Sequence, residues 1–203
     1  LLLATGAEPV MPDIEGTERE GVYTLGSMSD GKELREYIAR ARDGESFSQP
    51  DRGPACRYLE ECTGPVGIVG GGYIGLEMAG ALAEHEFEVH LFQRGERVLT
   101  QFSEQTSEKV ATHLREQDVV VHLESDVREL TGDDGGDEGE DGAGEVDCVV
   151  TDDESVSVDM VLVGTGVTPR TALAEAAGIE CGETGAIDVC RSEERFSRNA
   201  ETD

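Results

Sequence analysis

An α/β architecture built on a parallel sheet follows from three features of this 203-residue chain. The apolar run Val66-Gly67-Ile68-Val69 suits a strand buried on both faces, and Gly70, Gly72 and Gly75 follow it as G-x-G-x-x-G. A helical pattern comes next, with Ile74, Met78, Ala81 and Leu82 on one face, and a second strand, Val89–Phe92, falls at the spacing of a strand–helix–strand unit. Further on, apolar runs at 127–130, 146–150 and 156–158 are separated by turn signals and read as a small antiparallel meander.

Along the chain, Leu1 to Thr5 reads as a buried strand ending at Gly6, and residues 7–21, with Pro9, Pro12, Gly16 and Gly21, as a connection. Asp30 to Arg42 is a predicted helix: Leu34, Ile38 and Ala41 share a face, and Ser29 or Asp30 can cap it. Residues 44–65 are polar and turn-rich, a loop with one helical turn around Cys56–Glu61. Ser103 to Gln117 is a further helix, capped by Ser103 or Thr106, with Val110, Ala111 and Leu114 facing inward. Val119–Leu123 is a third strand and Met160–Val163 a buried one. Residues 131–145 alternate glycine with Asp133, Asp134, Asp137, Glu138, Glu140 and Asp141, a composition that predicts a disordered acidic loop. A calcium loop is set aside there, because the D-x-[DN]-x-[DN]-G spacing with its closing glutamate is missing.

Each glycine of the turn has its own reason. Gly70 permits the tight turn, Gly72 lets backbone approach a pyrophosphate, and Gly75 allows helix and strand to pack closely. The helix N-terminus adds unpaired N–H groups and positive dipole. Gly70, Gly71, Gly72, Tyr73, Ile74 and Gly75 are therefore the candidate dinucleotide-binding turn.

Composition narrows the function classes. The formal charge is -29, from 45 Asp+Glu against 16 Lys+Arg. No basic stripe exists, which excludes nucleic acid as a partner. No apolar run reaches the roughly 18–20 residues that span a membrane. Leu1-Leu2-Leu3 is too short for a signal peptide, and a start without methionine on an apolar strand reads as an internal fragment. Dense carboxylate suits a cytoplasmic protein from a very salty cytosol, where repulsion is screened within about 3 Å at 1 M salt. Cys56, Cys62, Cys148, Cys181 and Cys190 show neither C-x-x-C nor zinc spacing and read as reduced, incidental thiols. His85, His90, His113 and His122 fall on different elements without ligand spacing, so no metal site is expected.

Three separated segments, Leu3-Ala4-Thr5-Gly6-Ala7, the glycine turn at 70–75, and Val161-Leu162-Val163-Gly164-Thr165-Gly166-Val167-Thr168-Pro169, occur in one order. That order resembles the FAD-dependent pyridine nucleotide-disulfide oxidoreductases over nearly the whole length. Ala7, Val167 and the stretch from Val22 to Asp30 resemble the coenzyme A-disulfide reductase and NADH oxidase branch. The resemblance implies a Rossmann-like NAD(P)H-binding domain over 10–166, inserted between the end of a first FAD-domain segment (1–9) and the start of a returning one (167–203), the FAD domain being incomplete. It implies hydride transfer from NAD(P)H to FAD and on to a disulfide, such as coenzyme A disulfide, or to oxygen, in a homodimer whose redox cysteine lies upstream of residue 1. A ferredoxin reductase-like flavoprotein and a non-enzymatic NAD(H)-sensing module are the alternatives; a sensor has no reason to keep the two FAD-domain seams. Two departures stand out: Arg170 replaces the usual Asn after the proline, and Glu86 replaces the usual helix-ending Gly.

The resemblance places Tyr73 over the flavin as a gate and Glu77 beside the nicotinamide. It also gives FAD contacts to Thr5 and Gly6, and counts Gly166, where the chain returns to the FAD domain, among the cofactor-binding residues. No catalytic residue falls within the chain. Gln93 and Arg94 close the second strand, where an acidic residue normally grips the ribose of NAD. Gln93 removes the charge that would repel a 2′-phosphate and Arg94 can bind one, which favours NADPH over NADH. If the acidic surface is an adaptation to salt, the melting temperature rises steeply between about 0.1 M and multimolar KCl. A melting temperature that stays constant across that range in calorimetry would reject the halophilic reading.

Overall fold

Val66–Val69 and Met160–Val163 bury every residue, and the two strands lie side by side at the centre of a parallel sheet. The computed structural model describes residues 2–42, 64–132, 144–182 and 184–188, residues 37 to 42 by their backbone alone. Its elements are β1 (Ala7–Pro9), β2 (Val22–Thr24), α1 (Met28–Arg42), β3 (Val66–Val69), α2 (Tyr73–Glu84), β4 (Val89–Gln93), α3 (Glu104–Glu116), β5 (Val120–Leu123), β6 (Val127–Gly132), β7 (Val146–Thr151), β8 (Ser155–Ser157), β9 (Met160–Val163), β10 (Val167–Pro169) and α4 (Ala172–Ala176). By contacts the chain divides into two compact units, one comprising Leu1–Glu8 with Val167–Asp203, the other Pro9–Gly166.

The larger unit carries a five-stranded parallel sheet in the order β2-β9-β3-β4-β5 and an antiparallel sheet β6-β7-β8. Because side chains alternate across a strand, each central strand feeds two cores. Val66, Ile68, Val89, Leu91, Met160 and Leu162 pack with Leu34 of α1, Ala79 and Leu82 of α2, and Ala111 and Leu114 of α3. Val69, Phe92, Val161 and Val163 face the other way and pack on Val127, Leu130, Val146 and Val149 of the antiparallel sheet. The result is three layers: helices, parallel sheet, meander.

Several details differ from the sequence reading. Residues 2–6 form no strand, and Leu2 is 88% exposed; no described side chain covers it. The connection at 7–21 carries β1, which pairs with β10 in the smaller unit, and its Glu15 and Glu20 bridge to Glu129 and Glu145 beside the meander. β2 extends the parallel sheet by a strand that three residues were too short to announce. Helix α1 starts earlier than expected and is capped by Ser27. The Ser27 hydroxyl accepts from the Ser29 and Asp30 N–H groups, while Asp30 accepts from Gly26 and Ser27 N–H, a reciprocal capping box. The Ser27 hydroxyl bond comes first among the causes that hold the Asp30 carboxyl below its ordinary range. Leu34 is buried as expected; Ile38 and Ala41 lie among side chains outside the description. In α2 the buried residues are Gly75, Ala79 and Leu82, and Ala81 faces solvent. The helix is turned because its glycine, not its larger side chains, meets the strand. The loop at 44–65 up to residue 63, and 133–143 of the acidic loop, lie outside the described residues.

Helix ends are shared in design. Phe87 N–H reaches Leu82 O and Glu86 N–H reaches Ala83 O at the end of α2; Val119 N–H reaches Leu114 O and Asp118 N–H reaches Arg115 O at the end of α3. Both are Schellman motifs, with Glu86 at φ 66 and Asp118 at φ 62 in the left-handed position. A side chain strains that conformation, and a carboxylate there also opposes the negative end of the helix dipole. Glu86→Gly is therefore expected to stabilise the protein by about 1 kcal/mol, whereas Ala81→Gly, mid-helix and exposed, costs about the same. Chemical denaturation midpoints of the two variants must move in opposite directions.

Candidate dinucleotide-binding site

Strand order decides where a ligand can sit. From β3 the chain proceeds through β4 to β5 on one side, and β9 later pairs on the other side of β3. The crevice beyond the carboxyl ends of β3 and β9 is thus a topological switch point, the general ligand position of open parallel sheets. The glycine turn follows β3, Gln93 and Arg94 end β4, and Gly164 to Gly166 follow β9. All lie at one edge of the sheet.

The turn is closed by backbone-to-backbone contact. Gly70 has φ 110 and a Cβ on it would lie 2.6 Å from Gly164 O. A Cβ on Gly75 would lie 2.0 Å from Gly70 O. Gly70 N–H bonds Phe92 O and Gly164 N–H bonds Val69 O, both at 2.8 Å. Gly72 differs: its Cβ position meets only Gly164 O, at 3.9 Å, so its bareness leaves open space rather than relieving a clash. Gly72 is the N-cap of α2, with no side chain bonded to the helix end and no acid in the first turn. By contrast, Ser27 caps α1 and Ser103 caps α3, accepting from Thr106 N–H. The α2 end, with its free N–H groups, is chemically suited to a phosphate.

The remaining predicted residues fall around this centre. Tyr73 opens α2, is 59% exposed, and meets Phe102 edge to face with ring centroids 6.0 Å apart. Ile74 is half-buried, and Glu77 is exposed one turn beyond Tyr73. The Gln93 side-chain oxygen accepts from Gly71 N–H at 2.8 Å, so Gln93 belongs to the turn as well as to the strand end. Arg94 is exposed. Gly166, at φ 132, accepts at its carbonyl from Val10 N–H. In the smaller unit, Thr5 donates its hydroxyl to Arg170 O and Gly6 O accepts from Arg170 N–H, while Arg170 pairs with Glu8 at 3.4 Å. The sequence reading overlooked the connection after β4: Val98 and Leu99 are buried, and Leu99 N–H reaches Gly71 O at 2.9 Å. The pair of buried apolar residues in a polar connection was the available signal.

Two of the four histidines, expected to be scattered, are joined. His90 and His122 occupy matching faces of the adjacent strands β4 and β5, with His90 Nδ1 3.1 Å from His122 Nε2. Their outer nitrogens meet Glu88 at 3.2 Å and Glu154 at 2.6 Å. Among the described residues no group of three or more His, Cys, Asp or Glu is disposed to hold a metal ion. Cys148 and Cys181 are free thiols. Desolvation pushes the Cys148 thiol above its ordinary pKa, opposite to what a thiolate nucleophile needs. Cys56, Cys62 and Cys190 lie outside the described residues. No described helix is long and apolar enough to cross a membrane.

Residues 1–194 match the sequence model of the family described as pyridine nucleotide-disulphide oxidoreductase. The chain is 35% identical over 188 residues to a CoA-dependent NAD(P)H sulfur oxidoreductase of Pyrococcus abyssi, covering 92% of this chain and 35% of that protein. It is 31% identical over 190 residues to an NADH oxidase of Methanocaldococcus jannaschii, covering 93% and 36%. The chain thus spans about a third of the length of these curated relatives. Among solved structures, an NAD-dependent persulfide reductase from A. fulgidus superposes with a TM-score of 0.70 at 30% identity, over 91% of this chain and 29% of that one.

The two glycine roles separate experimentally. Gly75→Ala forces helix and strand apart, costs about 1–3 kcal/mol and lowers the melting temperature. Gly72→Ala is expected to leave the melting temperature near wild type and, where the turn receives a nucleotide, to weaken NAD(P)H binding. Thermal melts and nucleotide fluorescence titrations check both, and unimpaired binding by Gly72→Ala would remove the turn as the nucleotide site.

Proposed function

Because the chain belongs to the pyridine nucleotide-disulphide oxidoreductase family, we propose that it is the nicotinamide-nucleotide-binding part of a flavoprotein reductase. The observation that carries this reading is the uncapped α2 N-terminus behind a glycine turn at the switch point of a parallel sheet. Residues 10–166 hold the nucleotide, and residues 1–9 and 167–203 belong to a FAD domain, with Thr5, Gly6 and Gly166 at its flavin. The names of the relatives, sulfur oxidoreductase, persulfide reductase and NADH oxidase, support a sulfur–sulfur bond or oxygen as acceptor. The whole enzyme works as a homodimer in a salty cytoplasm.

When bound, the nicotinamide nucleotide supplies a hydride for the flavin, and through it for the acceptor. The chain's own residues do the placing. The main-chain N–H groups of Gly72 and of the first turn of α2 would receive the pyrophosphate, those of Gly70 and Gly71 being bonded within the protein. Tyr73 and Glu77, one turn apart on an exposed face, would flank the nicotinamide, with Tyr73 as the side chain that would cover the flavin in its absence. Arg94 meets a 2′-phosphate, and Gln93, uncharged, does not repel it. That pairing favours NADPH.

The double variant Gln93→Glu with Arg94→Ala tests the preference. Glutamate keeps an acceptor for Gly71 N–H, so the turn survives while charge is exchanged. Loss of a charge-assisted contact worth roughly 1.5–3 kcal/mol lowers NADPH affinity about ten- to hundredfold and leaves NADH little changed. Titration of both nucleotides at two salt concentrations reads the result, with the difference shrinking in high salt. Equal weakening of both nucleotides would mean that Arg94 serves the shared pyrophosphate or the fold, and no change would withdraw the NADPH preference.

A further inference from the structure

Gly71 is the residue of the turn that the glycine pattern leaves unassigned, yet both of its main-chain polar groups are taken from outside the turn. Its N–H donates to the Gln93 side-chain oxygen at 2.8 Å. Its carbonyl accepts from Leu99 N–H at 2.9 Å. Both partners come from β4 and the connection that follows it. Leu99 is held in the left-handed region at φ 47, a conformation that costs a branched side chain free energy and persists only where the surroundings impose it. Those surroundings are visible. The Leu99 carbonyl accepts from Phe102 N–H at 2.9 Å and from the hydroxyl of Ser107, 1% exposed, at 3.3 Å. Val98, fully buried, packs within 2.9 Å of the point a Gly71 Cβ would occupy.

We propose that Gln93, Leu99 and Ser107 form a two-sided clamp on Gly71 that sets the aim of the phosphate-receiving turn, making them positioning residues for the nicotinamide nucleotide. The inference rests on the proposed nucleotide-binding role. With both groups of Gly71 engaged, the peptides on either side of it cannot rotate, so Gly72 and the α2 N–H groups present one fixed direction before a nucleotide arrives. Preorganisation of this kind raises affinity by removing an ordering cost from binding. Because the pyrophosphate is common to both nucleotides, the clamp acts on NADH and NADPH alike, unlike Arg94.

Gln93→Leu keeps the bulk and removes the acceptor; Ser107→Ala removes the donor that fixes Leu99. Each is expected to weaken NADH and NADPH binding by the same factor, about three- to tenfold, the size of one hydrogen bond. Gln93→Glu, which restores an acceptor, returns NADH affinity to the wild-type value. Val149→Ala, in the core against the meander, supplies a variant with a comparable or larger fall in melting temperature and full nucleotide affinity. Fluorescence titration of both nucleotides against the whole 203-residue chain, with a melt for each variant, reads all of these. Wild-type affinity in Gln93→Leu, or an equal loss in Val149→Ala, would overturn the clamp while leaving the nucleotide site standing. A wild-type chain that binds neither nucleotide overturns the site and the clamp together.

Discussion

Three peptides that touch without side chains between them organise this molecule. A Cβ on Gly75 would fall 2.0 Å from Gly70 O, and one on Gly70 would fall 2.6 Å from Gly164 O. The contacts bring α2 against β3 and bring the segment after β9 against the turn after β3. Everything at the candidate site is measured from there: the open helix end, the position of Tyr73, and the distance from the turn to the end of β4. A side chain at either position cannot be absorbed by a rotamer change, because the atoms it meets are main chain.

The same sheet is asked to satisfy two different layers. The helices take Ile68, Leu91 and Leu162, while the meander takes the next residue of each strand, Val69, Phe92 and Val163. His90 and His122 share the meander's side with Phe92, and the Phe92 and His122 rings lie 4.6 Å apart at 13°. The outer carboxylates complete the row, with Glu154 reaching from the β7–β8 turn. Polar groups at this edge are thus satisfied by one another where the apolar core runs out.

Long periodic elements were legible from the chain alone, because burial on both faces leaves an unbroken apolar run and an amphipathic helix repeats its pattern. β3, β4, β9, α3 and the meander follow that logic. β2, β10 and α4 did not announce themselves, since they are short and none is a fully buried apolar run. The glycine turn was legible as a pattern, but its supports were not. The bonds from Gln93 and Leu99 to Gly71 span 22 and 28 positions of chain, and neither residue type advertises such a partner. The shifted face of α2 has the same origin: hydrophobicity nominated Ile74, Met78, Ala81 and Leu82, and of these Leu82 is buried and Met78 packs beside the core, while close contact adds Gly75 and Ala79. Leu1 to Thr5 has the composition of a core strand, yet Leu2 remains exposed, because composition says nothing about what covers it.

Strand order also has a consequence for how the chain acquires its shape. β9 fills the gap between β2 and β3, so a strand made from residues 160–163 is the wedge between neighbours that begin at residues 22 and 66. During synthesis β3, β4 and β5 can pair as they emerge, but β2 has no sheet partner until nearly 140 further residues have followed it. The loop-closure entropy of that late insertion falls on a single step. Until then the flanks of β2 and β3 are bare edges, open to the wrong strand of a neighbouring chain, and the chain's formal charge of -29 acts in that interval as a deterrent to association.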